Sequence, residues 1–147
     1  MTLLLIPGFM ADATLWNAMT DDLAPFGPLV ATDLSQGEDI ETMAAALLSD
    51  APERFVAVGF SMGGYVAREL ARIAPERVTA LILIATSARG DTEELHRGIA
   101  GSTLAHVADS GHMIPLEQPK ALAKVMTDWL ALYAPAPHGT TQSLNNT

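Results

Sequence analysis

Short runs of apolar residues alternate along the chain with stretches in which apolar residues recur every three or four positions. The apolar runs predict five β-strands, at residues 2–6, 29–32, 55–59, 78–85 and 103–108. Strands without a polar face are typical of a sheet that helices cover on both sides. Because strands and helices alternate, the pattern predicts an α/β fold with a small doubly wound, mainly parallel five-stranded sheet.

The stretches with helical spacing predict the helices that flank this sheet. After Asp12, a candidate N-cap, the apolar residues Trp16, Met19 and Leu23 fall on one helical face. Further apolar stripes predict helices from residue 40 to near residue 52, over residues 62–74, and through residues 122–133. Pro, Gly, Ser, Thr and Asn dominate residues 134–147, so we expect one domain over residues 1–133 and a polar C-terminal tail.

Composition and charge narrow the function classes. Eight Lys and Arg residues against 17 Asp and Glu residues give a formal net charge of −9, which disfavours nucleic-acid binding. The chain has no cysteine, which excludes disulfides, thiolate metal sites and cysteine catalysis and fits a cytoplasmic protein. The N-terminus lacks the basic region of a signal peptide. The charge-free apolar stretch at residues 78–88 is shorter than the ~20 residues that cross a bilayer. We expect a cytoplasmic protein without membrane insertion, and we assign it no metal or cofactor.

The spacing G-x-S-x-G occurs in Gly59-Phe60-Ser61-Met62-Gly63, between a predicted strand and a predicted helix. This is the place of a nucleophile elbow, a tight turn that exposes a serine hydroxyl and needs neighbours without side chains. The helix that begins at Met62 would direct its free N–H groups toward a developing oxyanion. The alternative is a glycine-rich βα turn or a phosphate-binding loop, but the motifs of phosphate-binding loops are missing. The context favours Ser61 as a nucleophile.

A second oxyanion donor is predicted in the loop after the first strand. Ile6-Pro7-Gly8-Phe9 is a strand end followed by a glycine-containing loop, and such a loop supplies the second donor beside a nucleophile elbow. The backbone N–H groups of Phe9 and Met62 are therefore the candidate oxyanion donors. The alternative interpretation of Pro7-Gly8 is an ordinary turn.

A serine hydroxyl is a poor nucleophile until a base takes its proton. His112 lies in a loop after the fifth predicted strand, at the same end of a parallel sheet as Ser61. We therefore predict His112 as the general base. The other histidines, which we interpret as packing, surface or tail residues, are His96, His106 and His138.

Four segments together resemble the α/β-hydrolase superfamily, in its lidded, single-domain, esterase-like branch. They are residues 3–9, Val58-Gly-Phe-Ser-Met-Gly-Gly-Tyr65, Ala74-Pro-Glu-Arg-Val78 and Gly111-His-Met-Ile-Pro-Leu-Glu-Gln-Pro119. The resemblance covers nearly all of residues 2–132 and implies a catalytic triad in the order Ser…Asp/Glu…His with small acyl esters as substrates. It also implies a helical cap and an acid-bearing strand before the histidine. Here only about 25 residues, 86–110, occupy that interval.

This departure leaves the acid that would orient His112 open. Asp91 follows the strand at residues 78–85 and is the first candidate, although Asp91 also fits an ordinary helix cap. Asp109, three residues before His112, is the second candidate, and its alternative role is an Asp that binds its own turn. A Ser–His pair without a protein acid is the third possibility, because loss of the acid lowers activity without having to abolish it.

The residues and the resemblance predict a serine carboxylesterase that hydrolyses short-chain acyl esters through an acyl-enzyme intermediate. Its substrate would be a small-molecule ester in a shallow, lidless site with candidate apolar walls at Phe9, Met10, Met62 and Met113. A nearly inactive hydrolase-fold remnant that acts as a binding module, or an acyltransferase with the same Ser–His pair, are the alternatives. An exposed sheet edge further predicts a homodimer, formed by exchange of the C-terminal strand and helix.

Overall fold

Four parallel strands form a single sheet in the computed structural model, which describes residues 1–86 and 92–133. The strands are β1 (Leu3–Ile6), β2 (Leu29–Ala31), β3 (Phe55–Phe60) and β4 (Val78–Ile84), in the order β2-β1-β3-β4. Ile6 at the end of β1 pairs with Gly59 near the end of β3, so both strands finish at the same edge of the sheet. The predicted α/β class with parallel strands is confirmed.

Helices cover this sheet, and most of them lie where the apolar stripes predict. They are α1 (Thr20–Leu23), α2 (Ile40–Asp50), α3 (Met62–Ile73), α4 (Thr92–Gly98), α5 (Ile114–Glu117) and α6 (Pro119–Tyr133), with 3₁₀ segments at Ala13–Met19 and Ala24–Phe26. The predicted cap at Asp12 begins the first 3₁₀ segment, where its carboxylate accepts from the N–H of Thr14 at 2.8 Å. Hydrogen bonds from the Thr14 hydroxyl and N–H hold the pKa of Asp12 below its ordinary value. None of the helices described in residues 1–86 and 92–133 combines the length and the apolar character that a membrane span requires.

Successive side chains of a strand point to opposite faces of the sheet, and helical segments pack against both faces. One face packs against the helical segments after β1 and against α6, with buried side chains that include Leu5, Val58, Trp16, Met19 and Met126. The other face packs against α2 and α3, with buried side chains that include Leu4, Ala57, Ala44, Val66 and Leu70. Full burial of each large apolar side chain contributes roughly 1.5–3 kcal/mol to stability. The sheet is thus doubly wound, as predicted.

The prediction of a fifth strand at residues 103–108 is wrong. This segment has no regular secondary structure, and within the described residues it does not pair with β4 or with any other strand of the sheet. Leu104 and Val107 are three residues apart, so in a strand they would face opposite sides and each side would carry only one large apolar side chain. In the structure Val107 packs against the core while His106 is exposed. The described sheet therefore ends at β4.

Arg77 ties the end of α2 to the start of β4. Its guanidinium donates to the carbonyl oxygens of Leu48, Ala51 and Pro52 at 3.1, 2.7 and 2.9 Å. The last carbonyl groups of a helix have no donors within the helix, so these bonds satisfy acceptors that would otherwise need water. They fix α2 at the end of the sheet opposite to the candidate site.

Candidate active site

Ser61 occupies the turn between the last residue of β3 and the first residue of α3. Its φ of 52° and ψ of −117° lie outside the regions that most residues populate. The N–H of Ser61 donates to the carbonyl oxygen of Ile84 at 2.8 Å, which joins the turn to the end of β4. A conformation of this kind costs about 1–3 kcal/mol and persists only where the surrounding structure imposes it. The hydroxyl is thereby raised at the carboxyl edge of the sheet.

Two glycines make this turn possible because backbone atoms of neighbouring segments approach them closely. A Cβ atom on Gly59 would lie 2.4 Å from the carbonyl oxygen of Gly63. A Cβ atom on Gly63 would lie 2.4 Å from the carbonyl oxygens of both Ile6 and Pro7. The glycines of the G-x-S-x-G segment therefore allow α3 to begin directly against β3 and the loop after β1.

Backbone strain in the described residues is concentrated around this edge. Within residues 1–86 and 92–133, the residues other than glycine with φ in the left-handed region are Met10, Ser61, Ala85 and Asp109. Met10 lies in the loop after β1, Ala85 directly follows β4, and Asp109 is in the loop that leads to His112. Such strain clusters at functional sites. The edge around Ser61 is consequently the best candidate site of the described chain.

The structure brings His112 to Ser61. The Nε2 atom of His112 lies 3.0 Å from the Oγ atom of Ser61, although the two residues are 51 positions apart in the sequence. The imidazole also packs on the ring of Phe60, with the centroids 5.3 Å apart and the planes tilted by 42°. A nucleophile and a base at hydrogen-bond distance are the minimal arrangement for transfer of a serine proton.

The loop that carries His112 is held by hydrogen bonds from its own neighbours. The carboxylate of Glu117 accepts from the N–H of Gly111 at 2.5 Å and from the N–H of Met113 at 2.9 Å. The side-chain amide of Gln118 donates to the carbonyl oxygen of Asp109 at 3.2 Å. The sequence alone assigns Glu117 no role. Its signals there are an acidic side chain five positions after the candidate base and a place in the segment Gly111–Pro119 that carries the family resemblance.

The two candidate oxyanion donors lie on either side of Ser61. Met62 is the first residue of α3, and the first N–H groups of a helix have no acceptor within the helix. Gly8 abuts the elbow from the other side, since a Cβ atom placed on it would lie 3.2 Å from the Cβ atom of Ser61. Phe9 follows Gly8 directly, and its side chain is 73 % exposed. Both segments that the sequence predicts to supply donors are thus adjacent to the serine.

The third member of the predicted triad is not brought to His112 within the described residues. Asp91 lies outside the residues that the structure describes. Asp109 is described, but no hydrogen bond or ion pair joins its carboxylate to the imidazole, and its backbone carbonyl accepts from Gln118 instead. Glu93 lies on α4 and pairs with Arg97 at 3.9 Å.

Neither His96 nor His106, the other two histidines in the described residues, contacts Ser61. His96 contacts Ser102 through its Nδ1 atom, 2.6 Å from the hydroxyl oxygen, and His106 is exposed. His138 lies outside the described residues. In the described parts of the chain, no group of three or more His, Asp or Glu residues is placed to hold a metal ion.

Comparison with known proteins shows which family the chain belongs to. The sequence profile of the alpha/beta hydrolase fold matches residues 28–109, which is more than half of the chain. The chain belongs to the α/β-hydrolase fold family. The resemblance that the motifs indicate is confirmed, and the elbow at Ser61 lies inside the matched residues.

Several relatives of this α/β hydrolase are named for the same enzymatic activity. The pimeloyl-[acyl-carrier protein] methyl ester esterase of Vibrio campbellii is 34% identical over 115 residues, covering 73% of this chain and 45% of that protein. The enzyme of the same name from Pectobacterium carotovorum is 40% identical over 93 residues, 58% of this chain and 36% of that protein. The chain thus spans less than half the length of these two curated relatives.

Two solved structures show how much of the fold is shared. A CIB-like hydrolase of Thermoplasma acidophilum superposes with a TM-score of 0.73 at 18% identity, covering 88% of this chain and 85% of that one. A thermophilic esterase of Thermogutta terrifontis superposes with a TM-score of 0.52 at 30% identity, covering 67% of this chain and 41% of that one. The first of these supports the fold alone.

Proposed function

We propose that this α/β hydrolase is a serine hydrolase of carboxylic esters, with Ser61 as nucleophile and His112 as general base. The observation that carries the proposal is the 3.0 Å contact between Ser61 Oγ and His112 Nε2. This contact lies at a strained strand-to-helix elbow, where a hydroxyl is presented and helix N–H groups converge. The esterase names of the relatives support the same class of reaction.

The proposed reaction has two half-reactions. His112 Nε2 takes the proton of the Ser61 hydroxyl as Oγ forms a bond to the ester carbonyl carbon, and the carbonyl oxygen becomes an oxyanion. The N–H groups of Phe9 and Met62 donate to that oxyanion. As the intermediate collapses, His112 returns the proton to the leaving alcohol and an acyl-enzyme remains. Water then attacks the acyl-enzyme by the same route and releases the carboxylic acid.

The exposed side chains at the rim of the site are apolar, which favours substrates with apolar groups. Phe9 is 73 % exposed and Met10 92 % exposed, in the loop beside Ser61, and Leu116 lies 59 % exposed just after the His112 loop. Apolar side chains around an open site suit esters with an apolar acyl chain, since each buried CH₂ group contributes about 0.8 kcal/mol. We propose short-chain acyl esters as substrates. Methyl esters are a second class to test because the relatives are named methyl ester esterases.

Ester hydrolysis by the intact chain tests this proposal. We expect turnover of p-nitrophenyl acetate and butyrate that falls by more than about 10³-fold in Ser61→Ala. Ser49→Ala is the matched control, because Ser49 is an exposed serine on α2, away from the elbow. Turnover that is equal in the parent and in Ser61→Ala would reject the proposal and favour a non-catalytic binding module. Added alcohol that appears as new ester product would instead indicate acyl transfer.

The proposed acid is Asp91, with Asp109 as the alternative. Loss of the orienting carboxylate lowers kcat by about 10⁴-fold in a well-studied triad. We expect Asp91→Asn to lower kcat by orders of magnitude. Asp109→Asn should stay near the parent, because the Asp109 carboxylate makes no hydrogen bond or ion pair with His112 in the described part of the chain. Parent-like rates for both variants would show that neither residue is the acid.

A further inference from the structure

Glu117 accepts hydrogen bonds from the backbone N–H groups of the two residues next to His112. One carboxylate oxygen accepts from the N–H of Gly111 at 2.5 Å, and the other accepts from the N–H of Met113 at 2.9 Å. The fit is close on the Gly111 side, where a Cβ atom would lie 3.2 Å from both carboxylate oxygens. A single ionised side chain thus bridges the residue before His112 and the residue after it.

This bridge fixes the backbone from which the imidazole projects. The N–H of Gly111 belongs to the peptide group before Gly111, and the N–H of Met113 belongs to the peptide group that joins it to His112. When both are held by one carboxylate, the backbone between them has little freedom to turn. Hydrogen bonds to an ionised acceptor are roughly twice as strong as neutral ones. His112 itself is exposed, so backbone anchoring is important for the direction of its ring.

The other hydrogen bonds of the His112 loop are made near its beginning, before Gly111. Gln118 donates to the carbonyl oxygen of Asp109, and Ser110 donates to the carbonyl oxygen of Val107 at 2.7 Å. These contacts fix the entrance to the loop, whereas the Glu117 carboxylate binds the N–H groups of the residues on either side of His112. Glu117 is also the last residue of the four-residue helix α5, so the turn of that helix returns it toward His112.

We infer that Glu117 is a positioning residue that aims the Nε2 atom of His112 at the Ser61 hydroxyl. The inference rests on the proposed function, in which this pair transfers the serine proton. Glu117 touches neither of the reacting atoms in this account and acts through the backbone of the His112 loop. A base displaced by about 1 Å loses about 10²-fold in rate.

Two variants of Glu117 separate this role from a general effect on folding. Glu117→Ala removes both acceptors, and we expect kcat with p-nitrophenyl acetate to fall about 10- to 100-fold while KM changes by less than about twofold. Glu117→Gln keeps one acceptor oxygen and places an NH₂ group against the other N–H, so its kcat should lie between the parent and Glu117→Ala. Glu53→Ala, at an exposed glutamate in the loop before β3, is the matched control and should leave kcat unchanged.

A double-mutant comparison shows whether Glu117 acts through the base. In a His112→Ala background, Glu117→Ala should lower the residual Ser61-dependent rate by less than twofold, because there is no imidazole left to aim. A further tenfold loss in that background would contradict positioning and would indicate general damage to the site. Parent-like kcat in Glu117→Ala, with Ser61→Ala inactive, would overturn the positioning role and leave the proposed function intact.

Amide exchange gives a readout that does not depend on activity. The N–H groups of Gly111 and Met113 should exchange at least about tenfold faster in Glu117→Ala than in the parent, while the amides of β3 should not change. Unchanged exchange at both amides would overturn the inference whatever the enzyme activity. An inactive parent that shows the expected change in exchange would reject the proposed function and retain the carboxylate bridge without a catalytic role.

Discussion

At the scale of single residues, Ser61 has a backbone conformation that it would not adopt without the surrounding structure. Ser61 has φ 52° and ψ −117°, and it keeps this conformation because its N–H is bound by Ile84 and α3 begins directly after it. The conformation raises the hydroxyl toward His112, at a cost of about 1–3 kcal/mol. If Ser61 is the nucleophile, as we propose, the conformation that presents its hydroxyl lowers the stability of the protein.

Replacement of Ser61 shows how this residue affects stability separately from how it affects activity. Glycine adopts positive φ without a Cβ penalty, so Ser61→Gly should raise the unfolding midpoint by a few degrees relative to Ser61→Ala, while both variants lose esterase activity. Differential scanning calorimetry of the parent and both variants measures this. A midpoint of Ser61→Gly at or below that of Ser61→Ala would show that the elbow stores no strain that glycine relieves.

The residues of the site differ in how far the sequence predicts them. The elbow could be found because its glycines and its place between strand and helix leave a fixed spacing around Ser61. His112 could be placed because parallel strands end at one edge. Glu117 lies in a segment that carries the family resemblance, but its role could not be predicted, because its hydrogen bonds depend on the course of a short loop. Asp91 lies outside the described ranges, and its role as the acid stays a prediction.

At the scale of elements, α3 packs closely against the loop after β1, and these two segments carry the candidate oxyanion donors. Gly63 is the point of contact, with the carbonyl oxygens of Ile6 and Pro7 where a Cβ atom would be. Backbone atoms cannot move aside as a flexible side chain could. A methyl group at position 63 would therefore push α3 away from the loop that carries Phe9.

We expect Gly63→Ala to destabilise the protein and to lower its activity. Overpacking of this kind costs about 1–3 kcal/mol, which corresponds to a fall of several degrees in the unfolding midpoint. Gly98→Ala is the matched control, because nothing lies within 4 Å of a Cβ atom at position 98 on α4. Equal midpoints and equal esterase rates for the two variants would contradict this account of the elbow.

The strands were predictable to different degrees for a physical reason. Residues 55–60 are wholly buried and apolar, so both sheet faces require them to form β3. The segment 103–108 would place only one large apolar side chain on each side of a strand, and without more burial its pattern does not produce pairing. Local preference alone therefore suggested a strand that tertiary packing does not support.

At the scale of the whole molecule, the described sheet ends on an apolar strand. Residues 80–83 of β4 are apolar but only half-buried, and β4 pairs with β3 on one side within the described residues. Exposed sheet edges with apolar residues favour association between chains. The predicted exchange of a C-terminal strand loses its basis, because residues 103–108 form no strand, whereas α6 packs on the core of its own chain.

We therefore predict a homodimer that forms along the β4 edge. Sedimentation velocity from about 1 to 100 μM should show a dimer that dissociates on dilution, since a single exposed edge gives a modest interface. A clean monomer at tens of micromolar would contradict the prediction. It would also show that the half-buried side chains of β4 are tolerated in water.

The central claim, that Ser61 is a nucleophile activated by His112, is tested most directly by covalent labelling. The parent and His112→Asn would be incubated with a fluorophosphonate probe and mapped by peptide mass spectrometry. The account predicts one adduct, on Ser61, that forms at least about 10²-fold more slowly in His112→Asn. No adduct on Ser61, or equal labelling rates in the parent and in His112→Asn, would contradict it.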